Sequence, residues 1–255
     1  MKVVILAGGL GSRISEETYL RPKPMVTVGE KPILWHIMKK FASHGFNDFI
    51  ICLGYKSEVI KEYFLNFRSY NSHVVTNTAS GEVTILDEGR EDWRVSLIDT
   101  GSSSNTGERL KRVQKYLGNE SFFFTYGDGL TDQDLLATES FHRNQGKLVT
   151  LTAVTPPARY GAVSVNSGIV VKFSERTSSP ESLINGGYFL VNPQIFEILD
   201  PLSNPSWELD ILPQLAKREQ LAAFQHAGFW FAMDTFRDKE HLEALFESGT
   251  APWLK

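Results

Sequence analysis

An α/β fold with a mostly parallel mixed sheet flanked by helices is predicted by three features of this sequence. Short apolar segments that read as buried strands alternate with segments of helical periodicity through the first half of the chain. The first strand runs directly into a glycine-rich turn. The chain has 255 residues, 42% of them hydrophobic, enough for a sizeable core. Strands buried on both faces read as near-continuous apolar runs, and helices between them supply the crossovers of a parallel sheet.

The elements follow in order. Lys2–Leu6 is a strand. Ile33–Ser43 is a helix, with Ile33, Leu34, Ile37, Met38 and Phe41 at helical spacing. Phe49–Leu53 is a buried strand and Ser57–Phe67 a helix. Val74–Asp87 and Arg94–Ile98 alternate polar and apolar residues, which predicts a small antiparallel insertion over about 70–98. Ser121–Tyr126 is a strand dense in phenylalanine, Asp134–Gln145 a helix and Leu148–Val154 a strand. Gly161–Val165 and Ile169–Phe173 flank Asn166-Ser167-Gly168, a hairpin turn. Tyr188–Val191 is a further apolar strand. Helices near Leu209–Arg218 and Thr235–Ser248 make a helical C-terminal extension over about 200–255. Without internal repeats or a long linker, residues 1–255 are expected to form a single domain.

Composition narrows the function classes. A net charge of −4 gives no basic footprint for nucleic acid. The single cysteine, Cys52, lies in the apolar run Phe49-Ile50-Ile51-Cys52-Leu53 and reads as a core thiol. One cysteine excludes a disulfide framework and suits a reducing compartment. The start of the chain does not read as a signal peptide, and no apolar run reaches membrane-spanning length. A cytoplasmic protein without membrane contact is expected. The six histidines form no HExxH pattern, and no Gly-x-Ser-x-Gly elbow occurs.

The chemistry gathers in the first quarter. Leu6-Ala7-Gly8-Gly9-Leu10-Gly11-Ser12-Arg13 ends the first strand in a glycine-rich loop, and Arg21-Pro22-Lys23-Pro24-Met25 follows. Backbone N–H groups approach phosphate oxygens where no Cβ intervenes, and Arg13 and Lys23 bring positive charge. Pro22 and Pro24 fix φ on both sides of Lys23. A P-loop would need Gly-Lys-Ser/Thr where Gly11-Ser12-Arg13 stands, and a dinucleotide fingerprint would need a glycine where Ile14 stands. An ordinary ATPase and a dehydrogenase are therefore disfavoured. Gly127-Asp128-Gly129 ends the Phe122–Tyr126 strand, where open α/β sheets bind ligands. A carboxylate there suits Mg²⁺ better than an ordinary turn. In Met233-Asp234-Thr235, Asp234 or Thr235 caps a helix or Asp234 holds a metal, and spacing alone leaves both open. Arg109 stands near the start of a helix, where a solvated basic face is the plain alternative. Asn185-Gly186-Gly187 enters a strand with room for a ligand.

Together these motifs resemble the sugar-1-phosphate nucleotidylyltransferases, over essentially the whole chain. Lys31-Pro32-Ile33-Leu34-Trp35-His36, Thr125-Tyr126-Gly127-Asp128-Gly129 and Gly228-Phe229-Trp230 with Met233-Asp234-Thr235 resemble the cytidylyl branch. The resemblance implies a Rossmann-like fold of the nucleotide-diphospho-sugar transferase type. It implies transfer of a cytidylyl group from CTP to glucose 1-phosphate with Mg²⁺ as cofactor, in a homo-oligomer. It places Leu6, Ala7, Gly8, Gly9, Gly11, Ser12, Arg13, Lys23, Thr106, Arg109 and Asp128 on the nucleotide. Tyr126, Gly161, Glu175, Arg176 and Asn185 fall on the sugar phosphate, Asp128 and Asp234 on the metal, and Arg13 and Lys23 on the reacting phosphates. Arg176 replaces the family's usual lysine and Ser12 a usual threonine. The base-reading glutamine of the thymidylyl and uridylyl branches has no counterpart in Asp99–Gly107, which favours cytosine. Uridylyl or thymidylyl transfer to another sugar, or a catalytically silent homologue, are the alternatives.

Overall fold

The computed structural model describes residues 1–9, 18–86, 91–156, 162–166, 169–174 and 183–255, with 162–166 and 169–174 described by backbone pairing alone. Fifteen strands are found among these residues. In chain order they are β1 (Lys2–Leu6), β2 (Thr27–Val28), β3 (Lys31–Pro32), β4 (Asp48–Leu53), β5 (Val74–Thr76), β6 (Val83–Ile85), β7 (Arg94–Asp99) and β8 (Phe122–Tyr126). They continue with β9 (Gly129–Thr131), β10 (Val149–Val154), β11 (Ala162–Asn166), β12 (Ile169–Ser174), β13 (Ile184–Val191), β14 (Leu221–His226) and β15 (Trp230–Ala232).

Seven of them form the main sheet in the order β14-β10-β13-β8-β1-β4-β7. β1 pairs in parallel with β4 and β8, β4 with β7, and β10 with β14. β13 alone in this sheet runs against its neighbours β8 and β10. Alternation along the central strands sends side chains into two apolar layers. Val3, Ile5, Phe49, Ile51 and Phe123 face the layer under the helix Ile33–Ala42, closed by Leu242 and Trp253. Val4, Ile50, Cys52, Phe122 and Phe124 face the layer under the helix Thr106–Val113, closed by Trp207, Ile211 and Leu215. Each fully buried Leu, Ile, Val or Phe side chain contributes about 1.5–3 kcal/mol.

The structure departs from the sequence reading in two places. β5 and β6 pair antiparallel as expected, but β7 runs parallel to β4 at the sheet edge. An edge strand has one paired side, so its alternation need not mean an antiparallel partner. Likewise the C-terminal region is not wholly helical. It supplies β14 to the main sheet and β15 to a small ribbon with β9. β11 and β12 pair antiparallel as predicted, with Asn166 opposite Ile169, and Ser167 and Gly168 of the predicted turn lie outside the described residues.

Candidate active site

The site lies at the carboxyl ends of β1, β4, β7 and β8, where a parallel sheet leaves a crevice. Two cavities meet there. The larger, about 530 Å³, is lined by Leu6, Gly9, Lys23, Thr106, Arg109 and Glu208 among others. The smaller, about 210 Å³, is lined by Asn185, Gly186, Gly187, Trp230 and Ala232 among others. Tyr126, Asp128 and Asp234 belong to the walls of both.

Lys23 opens a 3-10 turn, Lys23–Met25, between its two prolines. Its ammonium donates to Asp128 Oδ2 at 2.6 Å and to Asp234 Oδ1 at 2.9 Å. Burial alone would lower its pKa. The Asp128 carboxylate and then that of Asp234 outweigh burial and hold it above the ordinary lysine value. The ammonium therefore stays charged at neutral pH.

The two aspartates are 106 positions apart in sequence and meet through β9 and β15. Ala232 lies opposite Gly129 in that antiparallel ribbon, and the Met233 N–H donates to the Asp128 carbonyl at 2.9 Å. The capping half of the cap-or-ligand question is answered by Thr235. Thr235 caps the helix Phe236–Glu247 in a reciprocal box with Asp238. The neighbouring Asp234 carboxylate is then left to face the cleft. Two carboxylates converging on one cation position, with oxygen donors only, suit Mg²⁺, which takes one or two carboxylates and completes its shell with water and phosphate. No cluster of three or more His, Cys, Asp or Glu side chains occurs among the described residues. A metal held here would thus draw further ligands from substrate.

Arg109 is buried, not part of a solvated basic face. Its guanidinium donates to the carbonyls of Leu53 at 3.0 Å and Gly8 at 3.1 Å and to the Thr100 hydroxyl at 2.9 Å. It ties together the ends of β1, β4 and β7. Gly8 is glycine for this reason, since a Cβ there would lie 2.2 Å from the guanidinium. Gly9, by contrast, has nothing within 4 Å of its Cβ position and faces the cleft. Ala7 is buried and donates its N–H to the Cys52 carbonyl at 3.0 Å. Cys52 itself is fully buried, and burial pushes its thiol up to about 12, so it stays protonated.

Thr106 and Tyr126 converge on a residue that the sequence did not single out. Glu208 accepts from the Tyr126 hydroxyl at 2.5 Å and from Thr106 Oγ1 at 2.6 Å. Burial first, and the Glu208 carboxylate second, push the Tyr126 phenol far above its ordinary value. Asn185 Nδ2 lies 3.5 Å from the same phenol oxygen, and its Oδ1 accepts from the Gly187 N–H at 2.9 Å. Trp230 donates its indole N–H to the Gly186 carbonyl at 2.7 Å, closing the smaller cavity. Of the remaining expected site residues, Gly11, Ser12, Arg13, Gly161, Glu175 and Arg176 lie outside the described residues.

A crevice of this kind, with Gly9, a lysine and two carboxylates at the strand ends, suits a transferase that handles nucleotide phosphates. The chain belongs to the nucleotidyl transferase family, which it matches over residues 2–241. It is 51% identical over 254 residues to the glucose-1-phosphate cytidylyltransferase of Salmonella typhimurium, covering 99% of this chain and 98% of that one. A probable glucose-1-phosphate cytidylyltransferase of Bacillus subtilis is 40% identical, with 99% of each chain covered. The same fold is seen in a putative glucose-1-phosphate thymidylyltransferase from Bacillus anthracis, with a TM-score of 0.69 at 20% identity over 96% of this chain and 95% of that one.

Proposed function

We infer that this chain transfers a cytidylyl group from CTP to glucose 1-phosphate, giving CDP-glucose and pyrophosphate. One observation carries the reading. Two cavities of unequal size share Tyr126, Asp128 and Asp234, and Lys23 lies against both carboxylates at that junction. Such a junction suits bringing a nucleotide phosphate against a sugar phosphate. The 51% identity to a glucose-1-phosphate cytidylyltransferase over nearly the full length supports cytosine and glucose as the two substrates.

In this reading a sugar-phosphate oxygen attacks the α-phosphorus of CTP. An O–P bond forms as the bond to the bridging oxygen of the β-phosphate breaks, and pyrophosphate leaves. The nucleophile needs no general base, because the second pKa of a phosphate monoester is about 6. What opposes the reaction is charge, roughly 4 kcal/mol for each pair of unit charges 4 Å apart at an effective dielectric of 20. Lys23 offsets this repulsion from within the junction. Asp128 and Asp234 would hold Mg²⁺, which supplies further positive charge to the phosphates when bound. Gly9, with Gly11, Ser12 and Arg13, would receive the triphosphate, while Asn185, with Gly161, Glu175 and Arg176, would approach the sugar phosphate. Arg109, which donates to the Gly8 carbonyl and lines the larger cavity, would meet the nucleotide.

The test is pyrophosphate release with each of CTP, UTP, dTTP, ATP and GTP against a panel of sugar 1-phosphates. CTP with glucose 1-phosphate should give the highest kcat/KM. Comparable values for CTP, UTP and dTTP would overturn the assignment of the base.

A further inference from the structure

Glu208 carries the wrong charge for a cleft that is to hold a triphosphate. It lines the larger cavity together with Lys23 and Asp128. The two site aspartates share the Lys23 ammonium. Glu208 is instead held by three hydroxyls, those of Tyr126 at 2.5 Å, Thr106 at 2.6 Å and Ser206 at 3.0 Å. Hydroxyl donors are neutral and bring it no opposite charge. A phosphate close by would be repelled, so its substrate partner must be a neutral hydrogen-bond donor.

Its placement is built rather than incidental. Glu208 is the second residue of a π-helical turn, Trp207–Ile211, whose N-terminus is capped by the Ser206 side chain. Trp207 is fully buried beneath it, and the Trp207 N–H donates to Thr106 Oγ1 at 2.8 Å. Isolated π turns are uncommon and recur at functional sites. An ionised carboxylate offers about four acceptor directions. Three are filled by the surrounding hydroxyls, which fix the group and leave capacity for one more donor.

We propose that Glu208 accepts a hydrogen bond from a hydroxyl group of a bound substrate. The inference rests on the nucleotide and sugar reading of the two cavities. Glu208 lines the larger cavity, so a ribose hydroxyl is the first source. A hydroxyl of the sugar phosphate is the second, reached past Tyr126, which walls both cavities.

The experiment compares wild type, Glu208→Gln and Glu208→Asp in steady-state kinetics, with melting temperature as a control. One arm sets CTP against 2′-deoxy-CTP and 3′-deoxy-CTP. The other sets glucose 1-phosphate against its 2-, 3-, 4- and 6-deoxy analogues. Wild type should prefer the hydroxylated substrate of one arm by roughly ten- to a hundredfold in kcat/KM, the range of a hydrogen bond to a charged group. Glu208→Gln should narrow that preference to within about threefold, by losing activity on the hydroxylated substrate only. Glu208→Asp keeps the charge but withdraws it by one methylene, and should narrow the same preference. It carries the comparison should the glutamine variant fail to fold. A purely structural fastening predicts an equal loss on every substrate. That result, or a change confined to the CTP-to-UTP ratio, overturns the proposal. Absence of CDP-glucose formation by wild type would instead overturn the reading of the cavities.

Discussion

Replacing Lys23 by alanine tests the site at its centre. The ammonium it removes lies 2.6 Å from Asp128 and 2.9 Å from Asp234. Preorganised charge contacts of this kind supply roughly 3–4 kcal/mol to a transition state, or two to three decades in rate. Lys23→Ala should therefore lower kcat/KM for pyrophosphate release by about a hundred- to a thousandfold. Lys23→Arg should recover part of that, because a planar fork reaches two carboxylates differently from a point charge. The variant also leaves two carboxylates facing each other, at roughly 3 kcal/mol of repulsion for a separation of about 5–6 Å and a dielectric near 20. Asp128 and Asp234 keep 29% and 23% of their side chains exposed, so solvent screening reduces this to about 1–2 kcal/mol. That corresponds to a loss of roughly 2–8 °C in Tm for a chain of this size. Because the Lys23 pKa is raised, the stability it contributes is fully present below the ordinary lysine pKa. It is lost only as pH rises through the higher folded value. The Tm deficit should thus be the same at pH 7 and pH 9. Mg²⁺ should restore the variant's Tm more than it raises that of wild type, since it replaces the missing cation. A folded Lys23→Ala protein within fivefold of wild type, with unchanged Tm, would refute the reasoning.

Further outcomes follow from the same geometry. Asp128→Asn and Asp234→Asn should each cut turnover by about a hundredfold or more and raise the Mg²⁺ needed for half-maximal rate, the loss expected for one preorganised charge; near-normal turnover at limiting Mg²⁺ would remove that residue from the proposed metal site. His36 is fully buried, donates from Nε2 to the Val28 carbonyl and accepts at Nδ1 from the Trp253 indole N–H. Burial chiefly lowers its pKa from 6.5 to about 4. The unfolded chain therefore takes up a proton that the native chain refuses, and stability should fall as pH drops from about 6.5 to about 4, by up to about 3 kcal/mol. Urea unfolding of wild type against His36→Gln at pH 7, 5.5 and 4.5 measures this, and parallel curves would contradict it. Arg109→Lys should destabilise by about 3 kcal/mol, because one ammonium cannot replace the fork that joins Leu53, Thr100 and Gly8; urea denaturation checks it. Thr235→Ala should cost about 1 kcal/mol through the lost helix cap, with turnover changed far less than by Asp234→Asn.

The sequence by itself determined the strand and helix rhythm, because burial on both faces of a parallel sheet demands continuous apolar runs such as Phe49–Leu53 and Phe122–Tyr126. It also determined the glycine-rich composition of the loop after the first strand and the constrained Lys23, since both rest on local backbone chemistry. What it could not determine was any partnership across long sequence separations. The alternation in Arg94–Ile98 suggested an antiparallel strand, yet β7 pairs in parallel with β4. Spacing alone left Asp234 between cap and ligand, and only the fold showed that the β9–β15 ribbon brings it near Asp128 while Thr235 and Asp238 supply the helix cap. For Arg109 the sequence alone left a solvated basic face as the plain alternative to the nucleotide contact that the resemblance implied, because its acceptors, the Leu53 and Gly8 carbonyls and the Thr100 hydroxyl, are marked by no sequence pattern. Glu208 carried no signal in the sequence, since its meaning depends on a π turn that folds it against Thr106 and Tyr126. Local propensity is written residue by residue. The convergence of charges and hydroxyls at the strand ends is a property of the packed sheet, and only the tertiary structure decided it.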